Sequence, residues 1–267
     1  MTLTDVPVSV WAGVTGVLLD ADDTLYDTRA AMHRAGALAA AALWPQADPE
    51  RAQRAGVRFR DDPEGHFAAY TRGEVEFAEM RRARIAELAT WLDQGVDDDL
   101  WDAFEAAYEP AFLAALAAFD DVVPTIRGLR SRGVVVGVLT NSSGRYTARK
   151  LAAAGLDGLF DVVCSTDTLG VGKPDPRAFH EACRLLGTEP ARTAYVGDEL
   201  RTDPLGAADA GMPAAWLVRE GTPDASGRRL VAARGLPVVA GLGDVLALVT
   251  GDLGAGERTG SIFPRFA

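Results

Sequence analysis

Short apolar runs alternate with helical stretches in two parts of the chain. The apolar runs predict strands, each followed by polar or glycine-rich residues: Gly16–Leu19, Val134–Leu139, Leu159–Cys164, Thr193–Val196 and Ala214–Val218. The stretches between them show helical spacing: Val123–Arg132, Gly144–Ala154, Asp175–Leu186 and Asp203–Ala210. Strands that alternate with helices predict an α/β fold, a doubly wound parallel sheet with helices on both faces.

Residues 28–118 break this rhythm, because their apolar residues follow helical spacing only and no convincing strand pattern occurs. One expected helix face carries Ala35, Leu38, Ala39, Ala42 and Leu43, and another carries Phe104, Ala107, Tyr108 and Phe112. The segment predicts an all-helical domain inserted after the first strand, with chain crossings near residues 26–28 and 119–124 that form a hinge. We therefore expect a core domain of residues 1–27 and 119–250, a helical domain of residues 28–118, and a C-terminal tail of residues 251–267.

Composition narrows the class of protein. A formal net charge of -11 over 267 residues argues against nucleic-acid binding as the main activity, although a small phosphorylated ligand needs only local positive charge. The chain has no run of about 18 apolar residues, so no membrane span is expected. The N-terminus lacks the basic start of a signal peptide. Two cysteines, Cys164 and Cys183, are expected to be buried reduced thiols, which favours a cytoplasmic location.

Three carboxylates follow the first predicted strand directly, at Asp20, Asp22 and Asp23. Like charges this close repel each other and are costly to desolvate together, unless a cation binds between them. Ligands of open α/β sheets bind at the carboxyl ends of strands, which is where these residues are expected. The alternative is an acidic turn that caps a helix, since aspartate and threonine are good N-caps. This segment alone leaves the two interpretations equally open.

Polar residues also follow the later strands. Thr140 and Asn141 follow the second strand, Lys173 lies in a glycine-rich loop, and Asp198 and Asp203 follow the strand at residues 193–196. Each has an ordinary alternative, as a helix cap, a solvated loop lysine or a turn residue. If the strands are neighbours, however, the loops converge on one point with a carboxylate cluster, one lysine, hydroxyls and backbone donors. The order of the segments and their repeated place at strand ends make the set specific.

At this point the chain resembles the haloacid dehalogenase superfamily. Residues 20–25 (DADDTL) resemble its first motif, residues 139–141 (LTN) the second, residues 172–176 (GKPDP) the third and residues 197–203 (GDELRTD) the fourth. The inserted helices resemble the family's helical cap domain. Asp23 departs from many members, which carry glycine there. In relatives, the peptide bond between the lysine and proline of the third motif is often cis, so we expect a cis Lys173–Pro174 bond.

The resemblance implies a magnesium-dependent phosphatase that acts on small phosphorylated metabolites. Asp20 would attack phosphorus and form an aspartyl-phosphate, and Asp22 would act as general acid and base. Mg²⁺ would bind the Asp20 carboxylate, the Asp22 carbonyl and Asp198. Further expected roles follow: Thr140, Asn141 and Lys173 as phosphate ligands, Asp203 as a residue that orients Lys173 or water, and Arg72 as a substrate contact from the cap, for which a surface arginine is an equally good interpretation.

Asp22 distinguishes phosphatases from dehalogenases within the family. A halide leaving group needs no proton, and dehalogenases lack a carboxylate at this position. Phosphonate cleavage would need a cap lysine, and residues 28–118 contain none. A sugar phosphomutase stays possible, since its motifs are similar. So does a binding or regulatory protein that kept the fold without the chemistry, although the complete set of motif residues counts against it.

Overall fold

A computed structural model describes residues 11–251 except Gly73. Its strands are β1 (Gly16–Leu19), β2 (Val135–Leu139), β3 (Val162–Cys164), β4 (Thr193–Gly197), β5 (Ala214–Leu217) and β6 (Val238–Val239). Its helices are α1 (Thr28–Leu43), α2 (Pro49–Asp61), α3 (His66–Thr71), α4 (Phe77–Trp91), α5 (Leu100–Ala115), α6 (Val122–Arg130), α7 (Gly144–Ala153), α8 (Thr166–Leu169), α9 (Pro176–Leu186), α10 (Gly206–Asp209), α11 (Ala225–Ala233) and α12 (Leu242–Thr250). The predicted tail, from residue 252 onwards, and residues 1–10 of the predicted core lie outside the described residues.

The strands form one six-stranded sheet in the order β3-β2-β1-β4-β5-β6. The pairs β1–β4, β4–β5 and β5–β6 are parallel. This strand order is that of a doubly wound α/β fold, in which the direction of winding reverses between β1 and β4. The predicted α/β fold with a doubly wound, Rossmann-like sheet is therefore confirmed. None of the described helices is long and apolar enough to cross a membrane.

The chain divides into two compact units. One contains residues 11–19, 121–137 and 171–251 of the described chain, and the other contains residues 20–120 and 138–170. The second unit thus joins the helical segment to the residues around α7 and α8. The predicted core and cap boundaries at residues 28 and 118 stay a prediction.

In the first unit β1, β4 and β5 are buried on both faces, as expected for a parallel sheet. All four residues of β1 and all five of β4 are buried, and Val17, Leu18 and Leu19 have no exposed surface. The register pairs Gly16 with Thr193 and Leu19 with Val196. The last residues of β1 and β4 therefore end almost level with each other.

In the second unit, residues 28–115 form the five helices α1–α5. Phe104, Tyr108 and Phe112 are buried on α5, and their rings stack at 5.7 Å with interplanar angles of 19° and 13°. The expected face of α5 is confirmed for these three residues, and stacked rings at this distance add to the stability of the helical core.

The expected face of α1 is wrong at Leu38, which is 59% exposed, and at Ala42, which is also exposed. The buried face of α1 instead contains small residues, among them Gly36 and Ala39. A Cβ atom on Gly36 would lie 3.1 Å from Cα of Gly56 in α2. The close approach of these two helix backbones, rather than the packing of a leucine, decides which side of α1 faces inwards.

Candidate active site

Three carboxylates lie together where the sheet reverses its winding. Asp20 follows Leu19, the residue that pairs with Val196, so the register of β1 and β4 brings Asp20 level with Gly197, one residue before Asp198. Oxygen atoms of Asp20, Asp198 and Asp203 all lie within 4.8 Å of one another. Asp20 is 7% exposed and Asp203 is 1% exposed. Oxygen donors of this kind fit a hard cation such as Mg²⁺, and a cation would offset the repulsion between them.

Asp203 is directed back towards β4 by a π-helical turn. This turn spans Arg201–Leu205, contains Pro204, and includes a hydrogen bond from Leu205 N to Leu200 O of 3.2 Å. It replaces the first turn of the helix that the sequence predicts from residue 203. Single π-turns occur frequently at functional sites. Here the turn lets the Asp203 Oδ2 atom accept a hydrogen bond of 2.9 Å from the Glu199 backbone N–H.

Gly197 leaves the space that Asp203 occupies. A Cβ atom on this glycine would lie 2.4 Å from Oδ2 and 2.5 Å from Cγ of Asp203. Real Cβ atoms do not approach other atoms that closely. The Asp203 carboxylate can therefore occupy this position only because Gly197 has no side chain. The glycine in the fourth motif is explained by this close approach rather than by its φ angle.

Lys173 is held by two partners in the first unit. Its Nζ atom donates to Oδ1 of Asp203 at 2.7 Å and to the hydroxyl of Tyr195 at 2.8 Å, and that hydroxyl donates to the same Oδ1 at 3.1 Å. The side chains of Lys173 and Asp203 are both buried. The Lys173–Pro174 peptide bond is cis, which confirms the prediction. Sequence reasoning missed Tyr195, because a tyrosine inside an apolar strand is ordinarily a core residue.

The Asp22 carboxylate has two partners in the second unit. Oδ1 accepts a hydrogen bond of 2.7 Å from the hydroxyl of Thr28, at the start of α1, and Oδ2 lies 2.5 Å from Nζ of Lys150 on α7. Lys150 is 3% exposed and was missed from the sequence, because a lysine on an amphipathic helix is usually solvated. Nζ of Lys150 also lies over the rings of Tyr26 and Tyr146, at 5.6 Å and 5.3 Å from their centroids.

Tyr26 is buried beside the first motif. Its hydroxyl makes no hydrogen bond within the described part of the chain. Burial, with smaller contributions from the charges of Asp22 and Asp20, raises the pKa of Tyr26 well above its ordinary value. The phenol is therefore neutral, and it can act as a hydrogen-bond donor but not as a base.

Asp23 occupies a left-handed backbone position, with φ of 56°. Glycine adopts this region without cost and aspartate tolerates it better than most residues, which explains why either can stand here. The Asp23 side chain accepts hydrogen bonds of 3.0 Å from both the backbone N–H and Nε of Arg29. Burial raises the pKa of Asp23, against the opposing effect of Arg29.

Thr140 and Asn141 follow β2, as expected. Thr140 is buried, its N–H donates to the carbonyl of Cys164 at 3.0 Å, and its hydroxyl accepts from the Ser142 N–H at 3.1 Å. Asn141 is exposed. The N-cap of α7 is Ser143. Neither Thr140 nor Asn141 is therefore the N-cap of this helix.

Arg72 lies between α3 and α4 and is exposed. Its guanidinium makes a two-point contact with Glu74, with Nε 2.5 Å from Oε1 and an Nη atom 2.8 Å from Oε2. The structure thus pairs Arg72 with a neighbour two residues away, and its predicted role as a substrate contact stays a prediction.

The chain is similar in sequence to a known family and to individual phosphatases. The family model of the haloacid dehalogenase-like hydrolases matches residues 14–211. The glyceraldehyde 3-phosphate phosphatase of Methanopyrus kandleri is 30% identical over 199 residues, which cover 74% of this chain and 82% of that protein. The phosphoserine phosphatase of Thermus thermophilus is 39% identical over 95 residues, which cover 36% of this chain and 38% of that protein.

The solved structure of the HAD-hydrolase YfnB from Bacillus subtilis has the same fold. It gives a TM-score of 0.67 at 19% identity and covers 89% of this chain and 99% of that chain. YfnB was solved with bound magnesium and is described as revealing interdomain movement. The family match spans all four motifs and most of the described chain. The chain therefore belongs to the haloacid dehalogenase-like hydrolases.

Proposed function

We propose that the protein is a magnesium-dependent phosphatase that hydrolyses a small phosphorylated metabolite through an aspartyl-phosphate. Its phosphatase relatives support hydrolysis of phosphate esters as the reaction class. The observation that carries the proposal is the approach of Asp20, Asp198 and Asp203 at the end of β1 and β4, the point where doubly wound folds bind ligands. A bound cation would offset the repulsion within this cluster, and it could hold a phosphoryl group there.

Asp20 is the proposed nucleophile. One of its carboxylate oxygens forms a bond to phosphorus while the bond from phosphorus to the ester oxygen breaks. Asp22 gives a proton to that leaving oxygen, and afterwards takes a proton from the water that attacks the aspartyl-phosphate. Asp22 is placed two residues from Asp20, and its partners Thr28 and Lys150 hold its side chain in one orientation.

The phosphoryl oxygens are held by Thr140, Asn141 and Lys173 in this proposal. Asp203 orients Lys173, which is supported by their contact of 2.7 Å. Asp20 and Asp198 would hold the metal with the Asp22 backbone carbonyl, and the carboxylate of Asp203 lies close enough to take part. When bound, Mg²⁺ supplies positive charge that neutralises the phosphoryl oxygens and the carboxylates.

Residues 28–118 are proposed to act as a cap that selects the substrate. The support is that α1–α5 form an all-helical segment inserted between β1 and β2. Arg72 is the proposed contact with a polar or anionic part of the substrate, for which its exposed position in the loop before α4 is the support. We also propose a cytoplasmic location, since Cys164 and Cys183 are both buried free thiols.

The test is a phosphate-release assay over a panel of phosphorylated metabolites with Mg²⁺. Asp20→Asn should abolish phosphate release, because an amide cannot act as this nucleophile, whereas Asp157→Asn at an exposed turn should leave the rate unchanged. Free phosphate distinguishes hydrolysis from the isomerised product of a phosphomutase. Release by Asp20→Asn at the wild-type rate, or no release from any member of the panel, would overturn the proposal.

A further inference from the structure

The chain contains two lysines, and the ammonium group of each contacts the carboxylate of an aspartate in a motif loop. Of its 27 lysine and arginine residues, 25 are arginines, and the two lysines are Lys150 and Lys173. Lys173 pairs with Asp203 and Lys150 pairs with Asp22. Lysine is thus used at two buried sites in a chain that otherwise uses arginine for its positive charges. Lys173 is the lysine of the third motif, whereas nothing in the motifs assigns a role to Lys150.

The Lys150–Asp22 pair is poorly suited to a purely structural role. Burial of an ammonium group is costly, and the gain from its partner is reduced by solvent because the Asp22 side chain is 35% exposed. The neighbouring Arg149 shows how the same helix makes an ordinary surface pair, through its guanidinium and Glu109 on α5. A contribution to stability therefore does not explain why Lys150 is buried.

The contacts of Asp22 indicate that Lys150 orients the Asp22 carboxylate. One oxygen accepts from Thr28 on α1 and the other from Lys150 on α7, so donors on two helices fix the plane of the carboxylate. The ammonium is in turn held between the rings of Tyr26 and Tyr146. A guanidinium is planar and larger, and it would not replace the compact ammonium in this space.

We propose that Lys150 is a positioning residue that holds the Asp22 carboxylate in the orientation required for proton transfer to the leaving oxygen and, afterwards, from the attacking water. The proposal rests on the proposed phosphatase function, in which Asp22 is the general acid and base. Lys150 acts through Asp22 and does not itself contact the substrate. Misplacement of a reacting group by about 1 Å can lower the rate by about 10²-fold. A residue that fixes the orientation of Asp22 would therefore raise the rate of catalysis.

Kinetics with two kinds of leaving group test this role. Lys150→Met keeps an unbranched side chain that is one heavy atom shorter and removes the charge. It should lower kcat for an alkyl phosphate by about 10- to 10²-fold, with little change in KM, and should lower kcat for p-nitrophenyl phosphate much less, because nitrophenolate needs no proton. Asp22→Asn should show the same dependence on the leaving group. Lys150→Met should add nothing to Asp22→Asn, because both changes remove one function.

Arg149→Met is the matched control, since it removes a positive charge from the same helix without a contact to Asp22. It should leave both substrates at wild-type rates. Equal loss by Lys150→Met on both leaving groups, an additive loss in the double variant, or wild-type kinetics of Lys150→Met alongside a defective Asp22→Asn would overturn the proposal. Failure of the proposed function looks different, because Asp20→Asn would then retain phosphate release.

Nuclear magnetic resonance gives a second measurement that does not depend on the folding of Lys150→Met. Lysine labelled with ¹⁵N at Nζ gives two side-chain signals in this chain. In Asp22→Asn the signal of Lys150 should shift while that of Lys173 stays in place. A Lys150 signal that does not respond to Asp22→Asn would show that the ion pair is absent in solution, and would overturn the proposal.

Discussion

Nζ of Lys173 and Oδ1 of Asp203 lie 2.7 Å apart, with both side chains almost fully buried. Breaking a buried ion pair by removal of one partner leaves an uncompensated charge, which costs about 3–5 kcal/mol. Tyr195 joins the pair through its hydroxyl but carries no charge. The two kinds of contact should therefore differ sharply in their effect on stability.

Asp203→Ala is expected to lower the free energy of unfolding by about 3–5 kcal/mol, because Lys173 loses its buried partner. Tyr195→Phe removes two hydrogen bonds but leaves the ion pair, and is expected to cost about 1 kcal/mol. Urea denaturation at neutral pH measures both. If Tyr195→Phe proves as costly as Asp203→Ala, the hydroxyl rather than the ion pair holds Lys173 in place.

Gly197→Ala is expected to displace Asp203, because the new Cβ atom would lie 2.4 Å from its Oδ2 atom. Overpacking of this kind costs about 1–3 kcal/mol, and here it also moves a carboxylate of the acidic cluster. We expect a lower free energy of unfolding together with weaker activation by Mg²⁺, measured by urea denaturation and by the dependence of the rate on Mg²⁺ concentration.

Gly243→Ala is the matched control for this change. Gly243 lies in α12, and no atom would lie within 4 Å of its Cβ. Alanine there should leave activity unchanged and should stabilise the protein slightly, by up to about 1 kcal/mol. Wild-type stability and wild-type Mg²⁺ activation in Gly197→Ala would show that Asp203 does not depend on the glycine.

Asp23→Gly should be tolerated, because the backbone at this position has a φ of 56°. The change relieves the left-handed strain and removes the contact with Arg29, so the free energy of unfolding should change by less than about 1 kcal/mol. Asp23→Ala loses the same contact and keeps a Cβ atom, so it should be less stable than Asp23→Gly by about 1 kcal/mol. Thermal or urea unfolding of the two variants checks the order. Equal stability would argue against a left-handed conformation at residue 23.

The strands and the motif loops could be predicted well from the sequence, because their signals are local. The four apolar residues of β1 are bounded by a polar residue on each side, and the predicted and observed limits agree at Gly16 and Leu19. The two-residue strand β6 (Val238–Val239) was missed, since a strand that short has no periodicity. β3 begins at Val162, three residues later than predicted, because Leu159 and Phe160 precede the strand without being part of it.

The contacts between distant segments could not be predicted in the same way. Leu38 faces solvent because Gly36 and Gly56 let two helix backbones approach, and a hydrophobic pattern does not report how close backbones come. The pair of Lys150 and Asp22 joins residues 128 positions apart. The rarity of lysine in this chain was a signal for that pair, although it names no partner. Asp203 was expected in a helix, and the π-helical turn that directs it towards Gly197 has no sequence pattern of its own.

Mg²⁺ is expected to raise the melting temperature, because the folded protein brings Asp20, Asp198 and Asp203 together and the unfolded chain does not. Binding to the folded state alone stabilises by about 2.7 kcal/mol when the free metal exceeds its dissociation constant 100-fold. Asp198→Asn removes one charge from the cluster and should abolish most of the shift. Asp209→Asn, which changes an exposed partner of Arg234, should keep it. Melting curves in millimolar-range MgCl₂ and in chelator measure the effect. An unchanged melting temperature together with full activity in chelator would refute the metal site, and an equal shift in Asp198→Asn would place the metal elsewhere.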